Sequence, residues 1–326
     1  MKKRMFGKTG VMVSEIGLGT WQLGGGWGKA YNEETAVRIL ETAYDNGVNV
    51  FDTADIYNEG NSEKTIGKFI ADKKDIFVIT KCGRGLKPHT AQAYQIDALE
   101  RFIDGSLERL AVSQLDMVLL HCPPTAVYDN DALFADLDQL KAKGKIAHYG
   151  VSVETVAEAI TAVEKHDVSA VEIIFNMFRL KPLEKFFALA KEKNVGIIVR
   201  VPLASGLLSG KYTKDRVFAA EDHRNFNRNG EQFDKGETFS GVDYEQGLAA
   251  VQELKKVFGV EDLVGYALRW ILMHDAVSTI IPGASTPQQV VDNIKACDLP
   301  ALTDKQMEEV ERIYDAYIRE SVHGNW

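Results

Sequence analysis

The stretch NVFDTADIYNEGNSEKTIGKF, from Asn49 to Phe69, follows the turn signal Asn46-Gly47 and opens with the apolar pair Val50-Phe51, as a β-strand does. It then sets Asp52, Asp55, Tyr57 and Glu59 within eight residues, more polar chemistry than a strand-to-helix connection needs to turn a corner. Strand, polar loop and helix make a unit that the rest of the chain repeats. Short β-branched runs recur at 16–19, 49–52, 76–81, 116–121, 147–152, 171–176, 196–201 and 278–282. Between most of them lie amphipathic stretches such as EETAVRILETAYDNG and QAYQIDALERFIDGSLERL, apolar at i, i+3, i+4 and i+7. Sustained alternation of this kind implies right-handed βαβ units and a parallel sheet. Eight units close into a (β/α)8 TIM barrel, which takes about 250 residues and leaves roughly 75 for decoration. The expectation is one barrel domain spanning 1–326. Its additions are an N-terminal β-hairpin (MFGKTGVMVSEI, turning at Lys8-Thr9-Gly10), a polar insertion at 212–243 after strand seven, and a C-terminal helix and tail at 302–326.

Composition narrows the partners. With 38 basic against 47 acidic residues the formal net charge is -9, and the basic residues are scattered, so neither nucleic acid nor a membrane surface is expected as a partner. No run approaches the roughly 18 apolar residues of a membrane span, and MKKRMFGKTG carries positive charge without the apolar segment of a signal peptide. A cytoplasmic protein is the expectation. Cys82, Cys122 and Cys297 are too sparse for a secreted disulfide framework. Neither they nor His89, His148, His166, His223, His274 and His323 show ligand spacing, so no metal is expected. The triplet Gly24-Gly25-Gly26 before Trp27 lacks the Lys and Ser or Thr of a P-loop and reads as part of the first βα-loop. No GxGxxG follows the first strand, and oligomerisation is left open.

In such a barrel the active site lies at the C-terminal ends of the strands. The apolar runs close on Asp52, Lys81, His121, Ser152, Asn176 and Arg200, so six polar residues converge on one rim. A lysine at an otherwise buried strand end needs a counter-charge, and Asp52 on the neighbouring strand is the natural partner.

The order of these residues resembles a family. FDTADIY with Glu63 downstream, then Lys81 and the LLH of His121, is similar to the aldo-keto reductases. The likeness extends over nearly the whole chain, through IGLGTW, GVS, PLASGLLSGKY and IIPGASTPQQVVDNIKA. It implies a catalytic tetrad of Asp52, Tyr57, Lys81 and His121 in an NAD(P)H-dependent enzyme that reversibly reduces an aldehyde or ketone, sugars included, to an alcohol. Tyr57, with an ordinary pKa near 10, would supply the proton. Lys81 would stabilise the phenolate, Asp52 would keep Lys81 charged, and His121 would orient the carbonyl. Asp55 and Glu59 fall outside the tetrad and read as solvated loop residues.

The resemblance also implies a cofactor site. Ser152 and Asn176 would meet the carboxamide, with Val153 where the family frequently has Asn and Glu172 where it frequently has Gln. Glu172 either accepts from the amide or faces outward in a shifted register. Arg200 stands where many relatives stack a tyrosine on the nicotinamide; it either stacks or forms a salt-bridged rim residue. Leu203, Ser205, Gly206, Leu208 and Lys211 would form the loop over the pyrophosphate, and Trp21 would wall the substrate pocket. Gly283, Ser285, Thr286, Gln289 and Asn293 would surround the adenosine. Thr286-Pro287 begins a helix whose N–H groups and dipole favour a 2'-phosphate, which makes NADP(H) the preferred cofactor and NAD(H) the second candidate. The preference is expected to be weak, because no Lys near Gly283 and no Arg near Gln289 is present; Arg224 or Arg228 would have to supply the charge. The 212–243 insertion reads as a lid, and SVHGNW as carrying Trp326 to the pocket rim or a subunit contact. Two other readings stand beside this one. Some proteins of this fold are redox-sensing subunits of ion channels that keep the tetrad, and a Schiff-base aldolase using Lys81 is disfavoured by Asp52, which would hold that lysine protonated.

Overall fold

The computed structural model describes residues 1–26 and 28–326; Trp27, at the end of the glycine triplet, lies outside the described residues. Strands β1 (Lys3–Met5) and β2 (Met12–Ser14) form the expected antiparallel hairpin, turning through a 3-10 segment at Gly7–Thr9 and Gly10 at φ 75°. The barrel follows as β3 (Leu18–Gly19), β4 (Val50–Asp52), β5 (Phe77–Cys82), β6 (Leu115–His121), β7 (Ile146–Ser152), β8 (Ala170–Ile174), β9 (Gly196–Arg200) and β10 (Val277–Ile280). These eight pair in sequence order, all parallel, and isolated parallel bridges Ile16↔Ile280 and Gly19↔Gly283 close the seam between β10 and β3. The first and sixth strands are shorter than the apolar runs suggested. In particular β8 stops at Ile174, so Asn176 lies two residues beyond it.

Helices α1 (Glu33–Asp45), α2 (Asn61–Ile70), α3 (Ile96–Leu110), α4 (Asp131–Ala142), α5 (Val156–Lys165) and α6 (Phe186–Glu192) return the chain between strands. After β9 come the short α7 (His223–Phe226), α8 (Tyr244–Phe258) and α9 (Val264–Leu272). The chain finishes with α10 (Pro287–Ile294), α11 (Asp304–Tyr317) and α12 (Arg319–Val322). Their starts are set by side-chain caps: Asn32 Oδ1 accepts from Thr35 N–H, and Thr155 and Thr303 form full capping boxes with Glu158 and Gln306. No helix of the described residues is long and apolar enough to cross a membrane.

Strand periodicity decides which residues enter the barrel. Successive side chains point to opposite faces, so Phe51, Val78, Val118, Val151, Val171 and Val199 pack outward on the helices. Val50, Ile79, Met117, Leu119, Ala170 and Ile198 fill the interior. Phe6 and Val13 of the hairpin join the inner cluster and close its base. Following the inward set toward the C-terminal ends, Val50 leads to Asp52, Ile79 to Lys81, Leu119 to His121, Ala170 to Glu172 and Ile198 to Arg200. One face of each strand is thus apolar at its lower end and polar at the rim.

Candidate active site

Asp52, Lys81 and His121 stand on neighbouring strands, while Tyr57 comes from the loop after β4. That loop doubles back through Asn58 and Glu59, both left-handed at φ 48° and 56°, before Gly60 at φ 82°. Lys81 is 0% exposed, which makes a counter-charge obligatory. Its Nζ donates to Asp52 Oδ1 at 2.5 Å, to the Thr53 carbonyl at 3.1 Å and to the Tyr57 hydroxyl at 3.4 Å. The His121 ring stands 5.9 Å from the Tyr57 ring, nearly perpendicular to it. All four residues of the expected tetrad therefore meet.

Glu172 joins them. Its side chain points inward, with Oε2 3.4 Å from Lys81 Nζ and Oε1 accepting from Ser152 Oγ at 3.2 Å. The outward-facing register is overturned.

Burial dominates the electrostatics. It pushes the Tyr57 hydroxyl above the ordinary tyrosine range; Lys81 pulls the other way, while Asp52, Glu172 and Glu237 reinforce the rise. The expected lowering of Tyr57 by Lys81 is thus outweighed. Burial also works against the Lys81 ammonium, but Asp52 and Glu172 overcome it and hold Lys81 protonated above the usual lysine range. His121 is held well below its usual value, first by burial and then by Arg84, Lys81 and Arg200, so its imidazole is neutral at neutral pH. Asp55 is not the solvated loop residue expected. It is buried, neither carboxylate oxygen has a hydrogen-bond partner among the described residues, and burial, followed by repulsion from Glu63, raises it to about 7. Glu59 is exposed, as expected.

The rim carries an ion network that single strand ends did not announce. Arg200, at the end of β9, pairs with Glu154 at 2.8 Å and lies 3.9 Å from Glu237 of the insertion. Arg84, three residues past Lys81, pairs with the same Glu237 at 2.9 Å. Arg200 is thus the salt-bridged rim residue of the two alternatives, although it still faces the cavity. Arg84, Glu154 and Glu237 come from three separate loops, and no spacing in the sequence joins them.

These groups line a cavity of about 900 Å³ at the C-terminal mouth of the barrel. Trp21 forms part of its wall, 6.4 Å from the Tyr57 ring and 5.3 Å from that of His223, with Phe233 of the insertion at 6.1 Å. His223 and Phe233 were not foreseen. Of the expected cofactor residues, Ser152, Arg200, Leu203, Ser205, Gly206, Lys211, Gly283, Ser285, Gln289 and Asn293 face the cavity. Three do not. Asn176 is buried with its amide donating to the Val201 carbonyl and Ser240 Oγ, and its oxygen accepting from Phe178 N–H. Leu208 is fully buried in the outer core. Thr286 turns its hydroxyl to cap α10, accepting from Gln289 N–H. Gln289 folds back in turn, its Oε1 accepting from both Ser285 N–H and Ser285 Oγ.

The cavity suits a dinucleotide. Its volume lies at the upper end for a cofactor site, and Ser205 and Gly206, both left-handed, turn their backbone along the wall as a phosphate-approaching loop requires. The Gly283 position is open, the nearest atom to a Cβ there being 3.8 Å away. Trp326 does not reach this cavity. Its indole N–H donates to Asp234 Oδ1 at 2.8 Å and its ring lies under the Arg179 guanidinium at 4.1 Å, pinning the insertion from below.

A (β/α)8 barrel with a buried Asp-Lys pair, a tyrosine and a neutral histidine at the floor of a dinucleotide-sized cavity defines an oxidoreductase class of site. Comparison with known proteins agrees: the model of the aldo/keto reductase family matches residues 15–315, and the chain belongs to that family, whose members use nicotinamide cofactors. It is 28% identical to an uncharacterized oxidoreductase, YqkF, of Bacillus subtilis, over 95% of this chain and 96% of that protein. A provisionally named voltage-gated potassium channel subunit beta of Schizosaccharomyces pombe is 29% identical over 95% of this chain and 92% of its own. Among solved structures, a glycerol dehydrogenase from Gluconobacter oxydans superposes with a TM-score of 0.78 at 25% identity, covering 97% of this chain and 96% of the other.

Proposed function

We propose that the protein reversibly reduces an aldehyde or ketone to an alcohol with a reduced nicotinamide cofactor, Tyr57 giving the proton. When bound, the cofactor supplies the hydride. The observation that carries the reading is the Tyr57 hydroxyl, set at the cavity wall within 3.4 Å of a buried, charged Lys81 and beside a neutral His121. A half-buried tyrosine whose hydroxyl is held above its ordinary range keeps its proton until negative charge develops on a neighbouring oxygen, and Lys81 then stabilises the phenolate. Neutral His121 can donate a hydrogen bond to the same carbonyl oxygen and so orient it. Trp21, Phe233 and His223 narrow the approach and exclude water, which favours a small carbonyl compound or sugar. Ser152 and Glu172 would hold the carboxamide, and Ser205, Gly206 and Lys211 the pyrophosphate.

For the cofactor, the family prior is NADP(H), with weak discrimination against NAD(H). Supporting weakness, the donors nearest α10 are engaged internally with Gln289, and Asp262 and Asp292 also face the cavity. Arg224, the candidate for the missing charge, is chelated by Asp222 and bonded to the Tyr212 hydroxyl. Tyr57→Phe tests the reaction. It removes the acid and keeps the ring, so turnover of a reactive aldehyde should fall by a factor on the order of 100 or more with reduced-cofactor binding little changed. Near-normal turnover would remove Tyr57 from the mechanism.

Similarity to a potassium-channel β-subunit supports a second reading, a redox-sensing regulatory subunit that keeps the same chemistry. Co-purification of a stable membrane complex, with turnover no faster than cofactor exchange, would favour it.

A further inference from the structure

At the floor of the cavity one ammonium meets two carboxylates. Lys81 Nζ lies 2.5 Å from Asp52 Oδ1 and 3.4 Å from Glu172 Oε2, with all three side chains buried. Both acids thus crowd the same ammonium. Yet among the described residues neither Asp52 Oδ2 nor Glu172 Oε2 has a hydrogen-bond partner, the Lys81 approach to Glu172 Oε2 being a charge contact only. Ionised carboxylates only accept, so two of them buried against one ammonium repel, and neither can give the other a donor. One proton between them removes the repulsion, gives both oxygens a partner and brings the cluster with Lys81 to zero net charge.

We propose that Asp52 and Glu172 share one proton, and that the pair is a proton reserve for Tyr57, drawn on through Lys81. The second half rests on Tyr57 as the acid; the first does not. The steps balance. As the carbonyl carbon accepts the hydride, the Tyr57 O–H bond breaks and the alcohol O–H bond forms. A Lys81 N–H bond then breaks as the phenolate is reprotonated, and Lys81 takes the proton shared by Asp52 and Glu172. The cluster ends as one ammonium and two carboxylates, one proton poorer and with no change in its electrons. Glu172 lines the cavity, so an occupied site shuts it from water and refilling follows release. Around the pair stand Lys81 and Tyr57, Ser152 on β7 and, further off, the Arg200 charge from β9. A glutamine at 172 would form the same contacts but hold no proton, which is the consequence of the departure at this position.

Two measurements decide it. In the cofactor-free protein, the infrared spectrum of wild type minus Glu172→Gln should contain the carbonyl band of one protonated carboxyl per chain, shifted in heavy water. Wild type minus Asp52→Asn should contain the same band, and its absence from both differences overturns the shared proton. In single turnovers of methylglyoxal with reduced cofactor in weakly buffered indicator, proton uptake from solution should lag the loss of nicotinamide absorbance in wild type and coincide with it in Glu172→Gln. Coincidence in wild type overturns the reserve. Full turnover by Tyr57→Phe would instead sink the acid assignment and leave the infrared result standing.

Discussion

Asp55 and Lys81 illustrate how far a residue's surroundings override its type. Asp55 has an ordinary pKa near 3.8 and is raised to about 7 in the fold. The folded state therefore binds this proton more tightly than the unfolded chain. Its favourable contribution is complete below about pH 4, is lost as pH rises toward 7 and changes no further above that. Asp55→Asn removes the titration. The unfolding free energy of the variant minus that of wild type should rise by a few kcal/mol between pH 4 and pH 8, at about 1.4 kcal/mol per unit in the steep part. A flat difference in denaturant titrations across that range would contradict the buried, unpaired carboxyl. Lys81→Met should reduce turnover at least as much as Tyr57→Phe. It should also destabilise by about 3–5 kcal/mol, because Asp52 and Glu172 lose their common cation. Loss of activity without loss of stability would mean the two carboxylates do not depend on the ammonium.

At the scale of elements, the 212–243 insertion is ordered by a few ties. Glu237 bridges Arg84 and Arg200 on the barrel rim, Ser205 Oγ donates to the Glu237 carbonyl, and Trp326 bonds Asp234 while stacking on Arg179. The insertion's own Phe218 and Phe239 are buried, and Arg224 lies 4.8 Å over the Phe218 ring. The segment thus has a small core of its own, which idle loops lack. Trp326→Ala removes the tie from the C-terminus. Amide exchange across 222–241 should quicken by one to two orders of magnitude, equivalent to about 1–3 kcal/mol of local opening, while β5 and β6 stay protected. Unchanged exchange in the insertion would show that Trp326 is dispensable there. As a lid, the same segment should slow its exchange when reduced cofactor is added; equal rates with and without cofactor would count against closure.

For the whole molecule, barrel closure and cofactor choice are the collective properties. Strand packing is tight enough that a Cβ added at Gly150 would fall 2.2 Å from the Ala170 carbonyl oxygen on the neighbouring strand. Gly150→Ala should therefore cost at least about 3 kcal/mol or prevent folding, measured by chemical denaturation. On the proposed function, cofactor choice would be set where β10, α10 and the insertion meet. Without a cation dedicated to the 2'-phosphate, the preference should shrink by roughly 1.5–3 kcal/mol relative to a charge-assisted site. The ratio of kcat/KM for NADPH over NADH with one aldehyde should then stay below about a thousand, some 4 kcal/mol. A larger ratio would point to Arg216, which faces the cavity and has no ion-pair partner among the described residues.

Periodicity and strand-end chemistry by themselves determined the eight-stranded barrel, its hairpin and the placing of Asp52, Lys81 and His121 on one rim, while Tyr57 was named through the family resemblance. The physical reason is local: a period of two in the strands fixes which side chains face inward, and Asp52, Lys81 and His121 share the phase of the apolar floor beneath them. Tertiary structure alone decided the rest. Whether Glu172 pointed at Lys81 depended on the register of β8 against β7, where Ser152 pairs with Glu172. The Arg84, Glu154, Arg200 and Glu237 network joins groups up to 153 positions apart, from Arg84 to Glu237. Asn176 was lost from the site because the chain left the sheet two residues earlier than its apolar run implied, and its amide satisfied the backbone there instead. Asp55 looked solvated because its sequence neighbours are polar, but its environment is set by Glu63 and Arg109, which come from α2 and α3 rather than from its own loop. Burial and long-range pairing are properties of where chains meet, and no local pattern encodes them.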